Sequence, residues 1–408
     1  KPRFSHLTVH NLNTIEDINN CEVANTDSFS EFIIIDGILG TGINGKLREN
    51  IKRAIEVINS SNGLTISVDV PSGLDPLTGQ IHDVAVKPQY TVSFHKVKTG
   101  IHKAGEEKVG GIVTCDIGIP IEAEYFINHG DMIKLNKRSL KSHKGNNGKV
   151  LIVGGSKEYS GAPSIAGLAA IGAGADLVYV AAPESAALAI STHPDLIVNS
   201  LKGDYLTAIH AEEILKMADK VDAVLLGPGA GINDETGKLL NILASKIKKP
   251  LVLDADALKQ VKPQIIKNRD DVILTPHIFE FKSFFGKDIK LDLDSYDFAE
   301  VDENISEFQQ VVKQISGAVV VKGAIDLVIQ KNKFKLNKSG NPGMTVGGTG
   351  DALAGIATSL LSKGLNAFDA ATLAIFINGL AGDEAYLEKG YGFGATDVVA
   401  HIGKVIKG

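Results

Sequence analysis

"GNPGMTVGGTGDALAGI", residues 340–356, decides how the C-terminal part of the chain is read. Gly347, Gly348, Thr349 and Gly350 precede Asp351, and Leu353, Ile356, Leu360 and Leu361 follow at helical spacing. A glycine run entering a helix leaves backbone N–H donors open, and those donors with the helix dipole favour bound phosphate. Gly347, Gly348, Thr349 and Gly350 are therefore a candidate anion hole, in which Thr349 either caps the helix or contacts a phosphate oxygen. Asp351 falls in the first helical turn. A carboxylate there is a poor phosphate ligand but a good base for a substrate hydroxyl. The pair points to phosphoryl transfer, the loop stabilising charge while Asp351 activates the attacking oxygen. An acid that merely stabilises a helix N-terminus is the plainer alternative. Asn341, Pro342, Gly343 and GGTGD together favour the catalytic one. The stretch lacks GxxxxGK[ST] and is no Walker loop.

Upstream, near-continuous apolar runs end in Gly, Pro, Asp or His: "KVLIVGG", "DLVYVAA", "VDAVLLGPG", "PLVLDAD", "DVILTPH" and "GAVVVKG". Amphipathic helical patterns separate most of them. Such strands belong to a parallel sheet covered on both faces, and ligands of such sheets bind beyond the carboxyl ends of the strands. Further back, "FIIID", "LTISVDV", "YTVSF" and "GIVTCDIG" repeat this βαβ grammar, with a helical pattern at residues 45–61. The polar, basic, turn-rich stretch 128–149 lies between the two regions. The expected fold class is α/β with two domains, residues 1–135 and 136–408.

The composition is that of a globular protein, with 408 residues, 44% hydrophobic and 22% charged. A net charge of −6 argues against general nucleic-acid or anionic-membrane binding. Cys21 and Cys115 are the only cysteines, which excludes a disulfide framework and fits a reducing, cytoplasmic setting. The apolar stretch 165–190 contains Asp176 and Glu184 and reads as helix, strand and helix rather than a membrane span.

In the first region, "DGILGTGINGKLREN" (36–50) holds GxGxxG at residues 40–45, and Asp69 ends the next strand. That arrangement mimics a dinucleotide-binding fingerprint and supports a hydride-transfer enzyme as a competing function. A lone GxGxxG is weak.

"HKGNNGKVLIVGGS" (143–156), "YSGAPSIAGLAA" (159–170), "LLGPGAG" (225–231), "LVLDADAL" (251–258), "LTPHIFEF" (274–281), "VVKGAIDLVI" (320–329) and "NPGMTVGGTGD" (341–351) occur in this order. Together they resemble the ADP/ATP-dependent NAD(P)H-hydrate dehydratases, a branch of the ribokinase-like superfamily. The resemblance implies a ribokinase-like domain with a mainly parallel sheet and helices on both faces. It implies repair of the hydrated cofactors NADHX and NADPHX. A nucleotide phosphorylates the C6 hydroxyl, phosphate leaves, and NAD(P)H returns. Asp351 is then the base. Ala162, Gly229, His277 and Asp351 touch the hydrated dinucleotide. Lys322, Gly323, Ala324, Ile325, Asp326 and Gly350 bind ADP or ATP, with magnesium on its phosphates. Asp254 and Asp256 receive no role. A ribokinase-like vitamin or sugar kinase shares the GTGD chemistry and stays as the alternative.

"SVDVPSGLDPLTG" (67–79), with "DGILGTG" and "FHKVKTG" (94–100), resembles the NAD(P)HX epimerase domain, Rossmann-like, that precedes the dehydratase in bifunctional repair enzymes. The resemblance makes Gly40, Thr41, Gly42, Ile43, Asn44, Gly45 and Lys46 a substrate-phosphate loop and Asp69 a substrate contact. It makes Asp36 and Ser72 potassium ligands, in keeping with a hard cation's taste for oxygen. The family's Asn- and Gly-rich loop is not found in residues 1–32. The expectation is an N-terminally incomplete domain with epimerisation slow or absent, within a homo-oligomeric protein of small-molecule substrates.

Overall fold

The computed structural model describes residues 33–40, 46–135, 138–286 and 298–407, and not the side chains of 121 or 298–304. Within the second half, the strand Lys149–Val153 is buried on both faces from Val150 onward. Val150 and Ile152 join one apolar cluster, Leu151 and Val153 another. Side chains point alternately to the two faces of a strand, so this sheet is covered on both. Helices Ala162–Gly172, Thr349–Ser362, Ala367–Lys389 and Ala395–Lys407 supply the first cover. Helices Ala211–Ala218, Asp234–Lys246 and Ile278–Phe285 supply the second, with Ile305, Phe308 and Val312.

The chain divides into two compact units, one ending at Pro120 and one spanning Ile121–Gly408. The first has strands β1 (Ile33–Asp36), β2 (Leu64–Val68), β3 (Tyr90–Phe94) and β4 (Gly111–Cys115), in that spatial order and all parallel. The helix Glu49–Ser60 links β1 to β2. The second carries β5 (Lys149–Val153), β6 (Leu177–Pro183), β7 (Leu196–Leu201), β8 (Ala223–Leu226), β9 (Leu251–Leu253), β10 (Val272–Leu274), β11 (Ala318–Val321), β12 (Asp326–Gln330) and β13 (Lys333–Asn337). Their order is β13-β12-β11-β10-β9-β8-β5-β6-β7. All pairs are parallel except β11/β12 and β12/β13. β7 was not among the expected strands, because its run "LIVNSL" mixes polar residues with apolar ones.

The units meet in sequence earlier than the turn-rich stretch implied. Phe126 and Ile127 are buried in the clusters of the second unit, and the Ile127 N–H donates to Leu336 O at 2.8 Å. Tyr125 stacks on Phe334 with ring centroids 5.1 Å apart. Residues 121–135 therefore pack as the opening of the second unit. Composition favoured the later boundary because polar, turn-forming residues concentrate after Ile127. Among the described residues no helix is long and apolar enough to cross a membrane.

β5 is flanked by β8 on one side and β6 on the other, so successive connections leave in opposite directions from this point. The crevice at the carboxyl ends of these strands is where an open α/β sheet holds a ligand. The HKGNNG loop lies at the opposite edge, before β5, where Asp176 accepts the N–H groups of Gly145 (2.9 Å) and Asn147 (3.0 Å).

Candidate functional site

Gly348 is the N-cap of the helix Thr349–Ser362 and has φ 97°. A Cβ there would lie 2.7 Å from Ile165 Cδ1 and 2.9 Å from Ala395 Cβ, so glycine is required for backbone shape and for space. The first N–H groups of a helix have no intrahelical acceptor, and here they open at the sheet's carboxyl edge. The Thr349 hydroxyl donates to Met344 O at 2.8 Å. It thus ties the loop to the turn Pro342–Thr345, and leaves the anion-facing donors to the backbone. Asp351 follows in the first turn.

Three strand ends converge near this turn. β9 runs into Asp254, whose carboxylate accepts the Thr275 hydroxyl at 2.7 Å. β10 runs into Thr275, Pro276 and His277. β11 runs into Lys322, whose N–H donates to Pro276 O at 2.9 Å. The Lys322 ammonium lies 3.5 Å from Asp254 Oδ1 and 3.3 Å from where a Cβ on Gly350 would stand. One cation thus sits between the glycine turn and a buried carboxylate.

Burial pushes the Asp351 carboxyl up to about 7, reinforced by the negative charges of Asp254 and Asp256 and opposed by Lys322. Removal of water around a carboxylate penalises its charged form, and like charges add to the penalty. An acid that titrates near neutrality is matched to proton transfer. Ala255, between the two aspartates, holds φ 50°, a costly backbone for a non-glycine residue and one that clusters at functional sites. Asp256 accepts the Gly231 N–H at 2.9 Å and lies 3.3 Å from Lys259.

The other expected residues fall into the same crevice. Gly229, at φ 60°, follows β8, and a Cβ there would come within 3.3 Å of Ala162 Cβ at the start of its helix. His277 caps the helix Ile278–Phe285. Its Nδ1 accepts the N–H groups of Phe279 (3.2 Å) and Glu280 (3.3 Å), which leaves the proton on Nε2. Burial lowers the pKa of His277 against the pull of Glu280. Within Lys322, Gly323, Ala324, Ile325 and Asp326, the last turns inward. Asp326 accepts Gly323 N–H at 3.0 Å and Asn337 Nδ2 at 2.9 Å, and burial lifts its pKa to about 6. It shapes the loop that presents Lys322. Thr275, Asp254 and Asp256 had no role from sequence; the acids closing an apolar strand in "LVLDAD" were the available signal.

In the first unit, Asp36 and Ser72 are both buried and joined directly, Ser72 Oγ donating to Asp36 Oδ1 at 2.6 Å. Ser67 Oγ (2.7 Å) and Ser72 N–H (2.9 Å) donate to Asp36 Oδ2. Gly40 follows shortly after β1, and Lys46 precedes the helix Glu49–Ser60. Thr41, Gly42, Ile43, Asn44 and Gly45 lie outside the described residues, as does the segment 1–32 in which the Asn-rich loop was sought. Asp69 follows β2 with φ 66° and contacts the Lys98 ammonium. No helix begins at Asp69, so capping does not account for it.

The family described as NAD(P)H-hydrate dehydratase matches residues 150–404, and the YjeF-related protein N-terminus matches residues 4–100. The bifunctional NAD(P)H-hydrate repair enzyme Nnr of Methanothermobacter thermautotrophicus is 47% identical over 378 residues, spanning 92% of this chain and 72% of that protein. This chain belongs to the bifunctional NAD(P)H-hydrate repair enzyme family. The Methanocaldococcus jannaschii member of these repair enzymes is 36% identical over 409 residues, spanning 99% of this chain and 74% of its own. In fold, the ADP/ATP-dependent NAD(P)H-hydrate dehydratase of Bacillus subtilis, co-crystallised with ATP/Mg2+, superposes with a TM-score of 0.55. It is 22% identical, with 71% of this chain and 99% of that one covered. A ribokinase-like superfamily protein from Enterococcus faecalis gives 0.60 at 21% identity, covering 69% and 95%. Both place the dehydratase half of this repair-enzyme chain in the ribokinase-like fold.

Proposed function

We propose that the unit starting at Ile121 dehydrates the S epimers of NADHX and NADPHX at the expense of ADP or ATP. The observation that carries this reading is a carboxylate titrating near 7, set in the first turn behind the glycine cap and beside Lys322. Ionised Asp351 accepts the proton of the C6 hydroxyl as that oxygen attacks the terminal phosphorus. The helix N–H groups and Lys322 offset the charge on the transferred group. Phosphate is a far better leaving group than hydroxide. The C6–O bond then breaks, a C5 proton is lost, and the C5=C6 double bond of NAD(P)H returns. Ala162, Gly229 and His277 line the crevice for the dinucleotide, and the loop from Lys322 to Asp326 flanks the nucleotide.

Magnesium would be carried on the nucleotide phosphates, where it neutralises charge. In the first unit we assign R/S epimerisation of the same substrates. Asp36 at the end of β1 and Ser72 beyond β2, 2.6 Å apart, offer the hard oxygen donors that potassium prefers. Gly40 and Lys46 border the substrate-phosphate loop.

Chemically prepared NADHX mixed with protein and ADP, then ATP, tests the reading. Recovery of NADH absorbance with release of inorganic phosphate supports it. Accumulation of a stable phosphomonoester in place of NADH identifies a small-molecule kinase instead.

A further inference from the structure

The segment "FHKVKTG" (94–100) contains a lysine that has received no role. We propose that Lys98 is the proton donor and acceptor for inversion at C6, working with Asp69 beneath a cleft that takes the hydrated nicotinamide ring; this rests on the epimerase reading above.

Lys98 and Asp69 are in contact, and the Lys98 ammonium also donates to Phe94 O at 2.9 Å. Asp69 Oδ1 further accepts the Phe94 N–H at 3.0 Å. The ammonium is thereby aimed by two acceptors. The two side chains are 23% and 22% exposed, so they are reachable from a cleft yet largely dry. That cleft has a volume of about 650 Å³. Leu77, Phe94, Val97, Ile117 and Ile119 give it an apolar wall, and Leu77 and Ile117 are 68% and 51% exposed. A ring with one polar edge suits a pocket of mostly apolar lining and few charged groups. Backbone strain marks the same place. Asp69 (φ 66°) and His95 (φ 61°) both line the cleft, and both hold the left-handed conformation that non-glycine residues avoid. The cleft opens at the carboxyl edge of the four-stranded sheet, as does the Asp36–Ser72 pair.

The chemistry balances without a co-reactant. C6 carries a hydroxyl and is bonded to N1. The Lys98 ammonium gives a proton to the departing hydroxyl, the C6–O bond breaks, and the N1 lone pair forms C6=N1. The products are water, a neutral amine and an iminium facing the Asp69 carboxylate, which stabilises its positive charge. Water then adds to the opposite face of the flat C6. Its proton returns to the amine, and the electron pair returns to N1. A positioned acid–base group of this kind contributes roughly a hundredfold or more.

The test uses the full-length protein carrying this sequence, purified (6R)-NADHX and potassium, without nucleotide, with the epimers followed by chromatography. Lys98→Met is expected to lower the catalysed R-to-S rate by about a hundredfold. Nucleotide-dependent dehydration of the S epimer and the melting temperature stay unchanged. In Lys98→Ala, added ethylamine is expected to restore part of the rate, and sodium chloride of equal ionic strength none of it. Wild-type epimerisation in Lys98→Met overturns the inference alone. Lost rate without amine rescue makes Lys98 a positioning residue and overturns the proton transfer. Wild-type protein no faster than the uncatalysed exchange overturns the epimerase reading and this inference with it.

Discussion

Replacing Asp351 by asparagine separates catalysis from stability in opposite directions. Its carboxyl is raised from 3.8 to about 7 in the folded chain, chiefly by burial. A group bound more tightly to its proton when folded favours the folded state most at low pH. That advantage is lost as pH rises from the unfolded value through the folded one. Each tenfold change in proton affinity is about 1.4 kcal/mol, so ionised Asp351 destabilises the fold by on the order of 4 kcal/mol well above neutrality. Asparagine is isosteric and never ionises. Asp351→Asn is therefore expected to gain stability over wild type as pH rises, by roughly 2–3 kcal/mol between pH 5 and pH 8. Other titrating groups cancel in the difference. Urea unfolding of both proteins across that range measures it. Turnover of (6S)-NADHX falls by about a hundredfold or more, because the base is gone. Wild-type turnover rises with pH through about 7, as Asp351 ionises. A stability difference independent of pH, or near-normal turnover in the variant, refutes the reasoning.

Lys322→Met removes the cation that holds the Asp351 pKa down, so the rising limb of the rate profile moves to higher pH and turnover drops; an unmoved limb contradicts the placement of Lys322. The two glycines of the turn separate by variant. Gly348→Ala strains a φ of 97° and meets Ile165 and Ala395, so it lowers the melting temperature by the equivalent of roughly 1–3 kcal/mol along with activity. Gly350→Ala meets only the Lys322 ammonium, so it lowers turnover with the melting temperature nearly unchanged. A fragment of residues 121–408 is expected to be more stable than one of 136–408. The shorter one loses buried Phe126 and Ile127, worth roughly 3 kcal/mol or more together. Equal thermal melts would show that residues 121–135 belong elsewhere.

Much of the site was legible because its chemistry is local. The glycine run before Asp351 says that a helix begins where donors lie open, since φ, ψ and the helix dipole are set within a few residues. The apolar strands and their Gly, Pro, Asp and His endings likewise announce a parallel sheet with a site at one edge. What only the tertiary structure decided depends on residues far apart in the chain. Lys322 meets Asp254 across 68 positions, and Thr275 meets Asp254 across 21. Burial of the helix start lifts Asp351 to about 7, and the sheet order, with β9, β10 and β11 side by side, adds the charges of Asp254 and Asp256 against that of Lys322. The Asp69–Lys98 contact has the same origin, since β2 and β3 are parallel neighbours whose ends emerge together. The boundary at Pro120 was hidden for a related reason. Turn-forming composition marks where a chain bends, while packing decides which core claims Phe126 and Ile127. Charge proximity and burial are properties of the folded assembly, and no spacing along the sequence encodes them directly.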